Sequence, residues 1–180
     1  MDDIVKQAMS KWPNVPDCYG WLGLDARGNW YMRDDKAQSL GSFDSGVPGC
    51  KGSELRHEKL IHFIARNYAV DARGCWYFQN GPQRVFVELQ ATPVIWRLQP
   101  DGSVQDHTGR DSSIICSWLD ELGHLYLEAD CGLGLVHSQD MQQAAEVIEL
   151  GVWLPQAVLY ADLQAKFGFI KSPASILNNS

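Results

Sequence analysis

Two polar clusters in the sequence have the residue types to hold an anion. One is Asn80-Gly81-Pro82-Gln83-Arg84 together with Glu88 and Arg97. On adjacent strands, the guanidinium groups of Arg84 and Arg97 would grip a carboxylate or phosphate in bidentate fashion, with Asn80 and Gln83 beside them. The other is His137-Ser138-Gln139-Asp140 at the expected start of a helix, where free backbone N–H groups favour negative charge. Cross-strand ion pairing and ordinary N-capping are the simpler account of the same residues. An enzyme of unrecognised type would use His137 and Asp140 with Arg84.

The stricter catalytic and metal patterns fail on spacing. His57-Glu58-Lys59-Leu60-Ile61-His62 approaches the H-E-x-x-H zinc motif, but Ile61 stands where the second histidine is needed. His57 and His62 would lie about 140° apart around a helix, too far to clamp one ion from one face. Gly132-Leu133-Gly134-Leu135-Val136-His137 begins like a dinucleotide fingerprint, yet His137 replaces the third glycine and the run reads as a strand. Close backbone packing explains its glycines better. The acid pairs Asp34-Asp35 and Asp120-Glu121 fall in or beside turns, there is no G-x-S-x-G elbow, and no cysteine has a histidine at a familiar spacing. No catalytic residue, metal site or cofactor is expected.

The elements that must position these residues are organised by a repeated string, Asp-x-x-Gly-x-(Trp or Leu)-Tyr. It occurs from Asp25 to Tyr31, from Asp71 to Tyr77 and from Asp120 to Tyr126, with 46 and 49 positions between successive aspartates. Asp accepts backbone N–H bonds at the first turn position and Gly supplies a positive φ at the exit, so each copy reads as a β-hairpin and the spacing suggests internal repetition. In the third copy Leu125 and Leu127 alternate with polar neighbours. That register turns Leu125, Trp30 and Trp76 inward and sends Tyr31, Tyr77 and Tyr126 to the other face, where a ligand or partner would meet them.

Around the hairpins, residues 2–11 show helical spacing and Ser39 to Ser53 is a Gly/Ser-rich run expected to be a mobile surface loop. Ser53 is a candidate N-cap for a helix carrying Leu60, Phe63, Ile64 and Tyr68. Asn80-Gly81 is a hairpin signal, and strands are expected at 84–89, 94–98, 114–119, 124–129 and 133–137. Ser138 would cap a helix burying Met141, Ala144, Ala145 and Ile148, stopped by Gly151. Tyr160 to Phe167 reads as a short helix, and the tail after Pro173 as frayed.

Composition bounds the partners. With 180 residues, 45% of them hydrophobic, the chain can bury a core, and its formal charge of −7 repels nucleic acid. The acidic start Met1-Asp2-Asp3 is unlike a signal peptide and no apolar run approaches a membrane span, so the expectation is a cytoplasmic protein that binds no membrane. Five cysteines without a C-x-x-C pair suit reduced, packing thiols.

The run from Gly28-Asn29-Trp30-Tyr31, through the helix with Leu60 and Phe63, to Gly74-Cys75-Trp76-Tyr77 and Val87-Glu88 before Pro93 resembles uncharacterised conserved proteobacterial proteins, among them the DUF1285 family of unknown function. That resemblance implies an α+β fold with repeated structural motifs and a role in signal transduction, and it supplies no catalytic residue. The sequence therefore predicts an α+β chain with a mainly antiparallel curled sheet of repeated hairpins and two main packing helices. Its two associated halves would span residues 1–92 and 93–180. The expected function is a non-enzymatic binding or regulatory module for a small anionic ligand or a protein partner, with a homo-oligomeric structural role as a further alternative.

Overall fold

The computed structural model describes residues 1–177. Among the described residues twelve strands form two open six-stranded sheets, and six helices accompany them. The chain divides into two compact units, the first formed by residues 1–25, 29–90 and the described residues from Phe169, the second by residues 26–28 and 91–168.

In the first unit, helix α1 (Asp3–Lys11) precedes strands β1 (Cys18–Leu24) and β2 (Trp30–Met32), then α2 (Asp35–Ser39) and β3 (Ser53–Glu54). Helix α3 (Glu58–Arg66) follows, then β4 (Tyr68–Val70), β5 (Trp76–Asn80) and β6 (Gln83–Leu89). The sheet order is β3-β2-β1-β6-β5-β4, with β1 parallel to β6 and the other pairs antiparallel. Leu22, Leu24, Trp30, Trp76, Phe78 and Val87 are buried in the core with Ile64 of α3 and Val5 of α1. Helix α3 is capped by His57, whose ring accepts from the Leu60 N–H at 3.3 Å. Ser53 is instead part of β3, where it pairs with Met32, and Tyr68, expected on the helix, lies beyond its end at the start of β4, paired with Phe78.

The second unit contains β7 (Val94–Leu98), β8 (Val104–Asp106), β9 (Ile114–Leu119), β10 (Leu125–Ala129) and β11 (Gly132–Val136). A 3-10 turn at Ser138–Asp140 leads into α4 (Met141–Glu149), and β12 (Gln156–Ala157), a second 3-10 turn and α5 (Leu163–Phe167) complete it. Its sheet runs β12-β9-β10-β11-β7-β8, with β7 parallel to β11. Set side by side, β2-β1-β6-β5-β4 and β8-β7-β11-β10-β9 are one topology used twice: a hairpin whose first strand lies parallel to the last strand of a three-stranded meander. The repeat is therefore of five-stranded units and not of the three spaced aspartates: Asp71 and Asp120 turn equivalent hairpins, β4–β5 and β9–β10, whereas Asp25 lies in the same unit as Asp71.

Three expectations give way. The Gly/Ser-rich stretch is held in place, because Phe43 and Cys50 are buried and the buried Arg33 guanidinium donates to the carbonyls of Cys50 (2.8 Å) and Gly41 (2.6 Å). Of the segment after Pro173, the described residues form helix α6 (Pro173–Leu177), docked on the first unit; residues 178–180 lie outside the described residues. Ser172 Oγ and the Ala174 N–H both donate to the buried Glu88 carboxylate. On α4, Ala144 is buried while Ala145 is exposed, so the stripe is narrower than its sequence spacing implied.

Candidate functional site

The aspartate turns are more numerous than the three repeats suggest. At Asp25, Asp71, Asp106 and Asp120 the aspartate N–H donates to the carbonyl four residues on, at 2.9–3.1 Å, and its Oδ1 accepts that residue's N–H. The glycine three residues on has φ of 83–84° in all four. Gln99 to Ser103 repeats the backbone pattern without an aspartate in first place. The second carboxylate oxygen finds a side-chain donor each time: Asn29 on Asp25, Arg73 on Asp71, Arg110 on Asp106 and His124 on Asp120. His124 is therefore one of a set of turn-locking donors.

The tyrosines divide. Tyr31 is half-buried, its ring edge-on to Phe43 and its hydroxyl 3.4 Å from Asp25 Oδ2. Tyr77 is half-buried beneath the Arg84 guanidinium. Tyr126, expected on an outward face, is 1% exposed and donates to Asp120 Oδ2 at 2.9 Å. Burial, then the bond to Asp120, pushes its hydroxyl pKa up. The cause lies across the β9–β10 pair, where Tyr126 faces Trp118 and the Trp118 ring packs edge-on against Phe167 of α5. A helix thus covers what sequence alternation assigned to solvent.

The two guanidinium groups expected on adjacent strands belong to different sheets, Arg84 on β6 and Arg97 on β7. Each is held by a carboxylate of its own unit. Arg84 forms two bonds of 2.9 Å with Asp17, and Arg97 bonds Asp140 at 2.7 and 3.3 Å. Asp140 Oδ2 also accepts the Leu98 N–H, and His137 Nδ1 accepts from Gln139 N–H at 3.1 Å as the cap of the 3-10 turn. Burial opposes ionisation of Asp140, but Arg97 and the Leu98 N–H outweigh it and hold the carboxyl below its usual range. Gln83 reaches the Pro16 carbonyl, and Asn80 is exposed at the hairpin end. Gln83, Arg84, Arg97, His137 and Asp140 thus each tie one part of their own unit to another, and both Asp140 oxygens accept hydrogen bonds.

What sequence reading passed over is the segment between α4 and α5. Within it Leu150, Val152, Leu154 and Leu159 are 79, 68, 76 and 57% exposed. It borders two clefts of the second unit. One, about 510 Å³, is lined by Val152 and Trp153 with Leu98, Val104 and Val147. The other, about 520 Å³, is lined by Pro155, Val158 and Leu159 with Leu119 and Lys166. Leu122 and Ile115 add exposed apolar surface on the same unit. The available signal was a run of leucine, valine and tryptophan after Gly151 that matches neither helix nor strand periodicity.

Charge separates the units as well. The first carries eleven basic and eleven acidic residues, whereas the second has only Arg27, Arg97, Arg110 and Lys166 against eleven acids, which accounts for the whole formal −7. Among the described residues no group of His, Cys, Asp or Glu is arranged to hold a metal ion, and no helix is long and apolar enough to cross a membrane.

No curated protein matches the sequence. Two solved structures are similar to the chain. One is a DUF1285 family protein from Silicibacter pomeroyi DSS-3, with 10% identity, a TM-score of 0.49, and 74% of this chain and 73% of that one covered. The other is a DUF1285 family protein from Shewanella baltica OS155, with 15% identity, a TM-score of 0.45, and coverage of 70% and 91%. Over residues 1–174 the sequence matches the family model DUF2944, described as a protein of unknown function (DUF2946), and the chain belongs to that family.

Proposed function

We propose that this protein is a non-enzymatic docking module that binds a polypeptide partner through the segment Leu150–Leu159 and its flanking clefts. The observation that carries this reading is the exposure of Leu150, Val152, Leu154 and Leu159 within ten positions of one another. Contiguous apolar surface bordered by polar residues is the signature of an interaction site, whereas scattered exposed leucines are not. A small anion is a weaker choice, because Arg84 and Arg97 are each already held by a carboxylate. The five free cysteines suit a module working in the reducing cytoplasm.

Selection of a random-peptide display library on the immobilised full chain tests the reading, with counter-selection on a Leu150→Asp, Leu154→Asp double variant of unchanged melting temperature. Peptides retained by the wild type and lost on the variant are expected. Recovery of none, or of peptides held equally by both proteins, would overturn it.

A further inference from the structure

From Asp111 to Ala165 the sequence contains no Lys or Arg and nine Asp or Glu residues, and this stretch includes the whole exposed apolar segment. Glu146 and Glu149 precede Leu150 on the last turns of α4, and Glu121 and Asp162 border the cleft that Leu159 lines. All four are exposed, and none enters an ion pair among the described residues. Glu121 makes one neutral contact, accepting the Tyr160 N–H at 2.9 Å. The cation lining this cleft, Lys166, is turned onto the Trp118 ring with its Nζ 4.3 Å from the centroid.

An apolar surface ringed by uncompensated carboxylates selects its partner by sign. An acidic or phosphorylated segment would meet repulsion there, whereas Lys and Arg around an apolar centre would find complementary charge and a faster encounter. We infer that the partner segment is a basic one, apolar side chains flanked by Lys or Arg, seated on Leu150–Leu159 with its cations facing Glu146, Glu149, Glu121 and Asp162. This rests on the docking reading above and adds the chemistry of the partner.

Fluorescence anisotropy with the full chain separates the two claims. The probes are two labelled, amidated peptides of equal length and leucine content, one interspersed with lysine and the other with glutamate. The lysine peptide should bind about tenfold or more tightly than the glutamate peptide, and its affinity should fall as salt is raised. Glu149→Lys with Asp162→Lys should erase that preference, and Leu154→Asp should weaken binding of the lysine peptide. Equal binding of both peptides, sensitive to Leu154→Asp, would overturn the basic partner and leave the docking surface standing. Binding of neither, or binding indifferent to Leu154→Asp, would overturn both. A mass that rises with concentration by light scattering and is restored to monomer by Leu154→Asp would assign the surface to a second copy and overturn the basic partner.

Discussion

The indole of Trp96 lies against Gly134 of the neighbouring strand, filling the space a Cβ at that position would need, and its Nε1 donates to the Leu127 carbonyl at 2.8 Å. Trp96 is fully buried, so the contact has no room to relax outward. Gly134→Ala should lower stability by about 1–3 kcal/mol, the usual cost of overpacking a core, read as a fall in the urea midpoint at unchanged slope. An unchanged midpoint would mean that the indole moves freely.

Gly23 stands in the same relation to Phe43, whose ring occupies the place of its missing Cβ. Arg33 fixes the segment that carries Phe43, through carbonyls on both sides of it. Arg33→Met would leave the buried Cys50 carbonyl and the half-buried Gly41 carbonyl without this donor and should cost about 2–4 kcal/mol. The same variant should open residues 41–52 to limited proteolysis while the second unit stays resistant.

The aspartate turns set the acid limit of the fold. Burial raises the carboxyl pKa at Asp71, Asp106 and Asp120, but their hydrogen bonds outweigh it. Asp71 accepts from the Cys75 N–H and Arg73, Asp106 from Thr108 and Arg110, and Asp120 from the His124 N–H, the His124 ring and Tyr126, and all three carboxyls lie below their ordinary value. A depressed carboxyl pKa stabilises the fold above the unfolded value of about 3.9, and that stabilisation is lost as pH falls through the folded value. Urea unfolding from pH 7 down to about pH 3 should show a loss of stability that is shallower in Asp106→Asn and in Asp120→Asn than in the wild type. Parallel pH curves would remove these turns from the account.

Glu88 has the opposite sign. Burial pushes its carboxyl up, against the bonds from Ser172 and Ala174 and the attraction of Arg33, with Asp44 adding a small upward push. Its contribution is therefore fully present below the unfolded carboxyl value and is lost as pH rises through the raised one. Hydrogen exchange should find the Ala174 amide better protected at mildly acidic pH than at alkaline pH, after correction for intrinsic rates, and Glu88→Gln should flatten that difference. Equal pH dependence in both proteins would count against the assignment.

Much of the fold could be read from local chemistry, and the losses are non-local. The Asp-to-Gly hairpins declare themselves within a few residues, because the turn's bonds and its positive φ are supplied locally. The copy at Asp106-His107-Thr108-Gly109-Arg110 was missed because the strand before it, Val104–Asp106, has too few apolar residues to show alternation. Helix α2 and the order in residues 41–52 depend on Arg33 binding distant carbonyls, which composition cannot reveal. Tyr126 was sent outward because alternation reports a strand's two faces and not whether a later helix such as α5 covers the second. Arg84 and Arg97 were recognised as groups that grip carboxylates. Their partners, Asp17 and Asp140, lie 67 and 43 positions away, beyond the reach of spacing arguments.

The docked tail has a consequence for biosynthesis. The first unit takes hydrogen-bond partners from residues that follow the second unit: the Ile170 N–H donates to the Gly74 carbonyl, the Lys171 carbonyl accepts the Leu89 N–H, and the Ala174 N–H donates to the Glu88 carboxylate. Because residues 91–168 intervene, the first unit is discontinuous in sequence. During synthesis its sheet stays without these partners until residues 170–174 have been made, after the whole of the second unit.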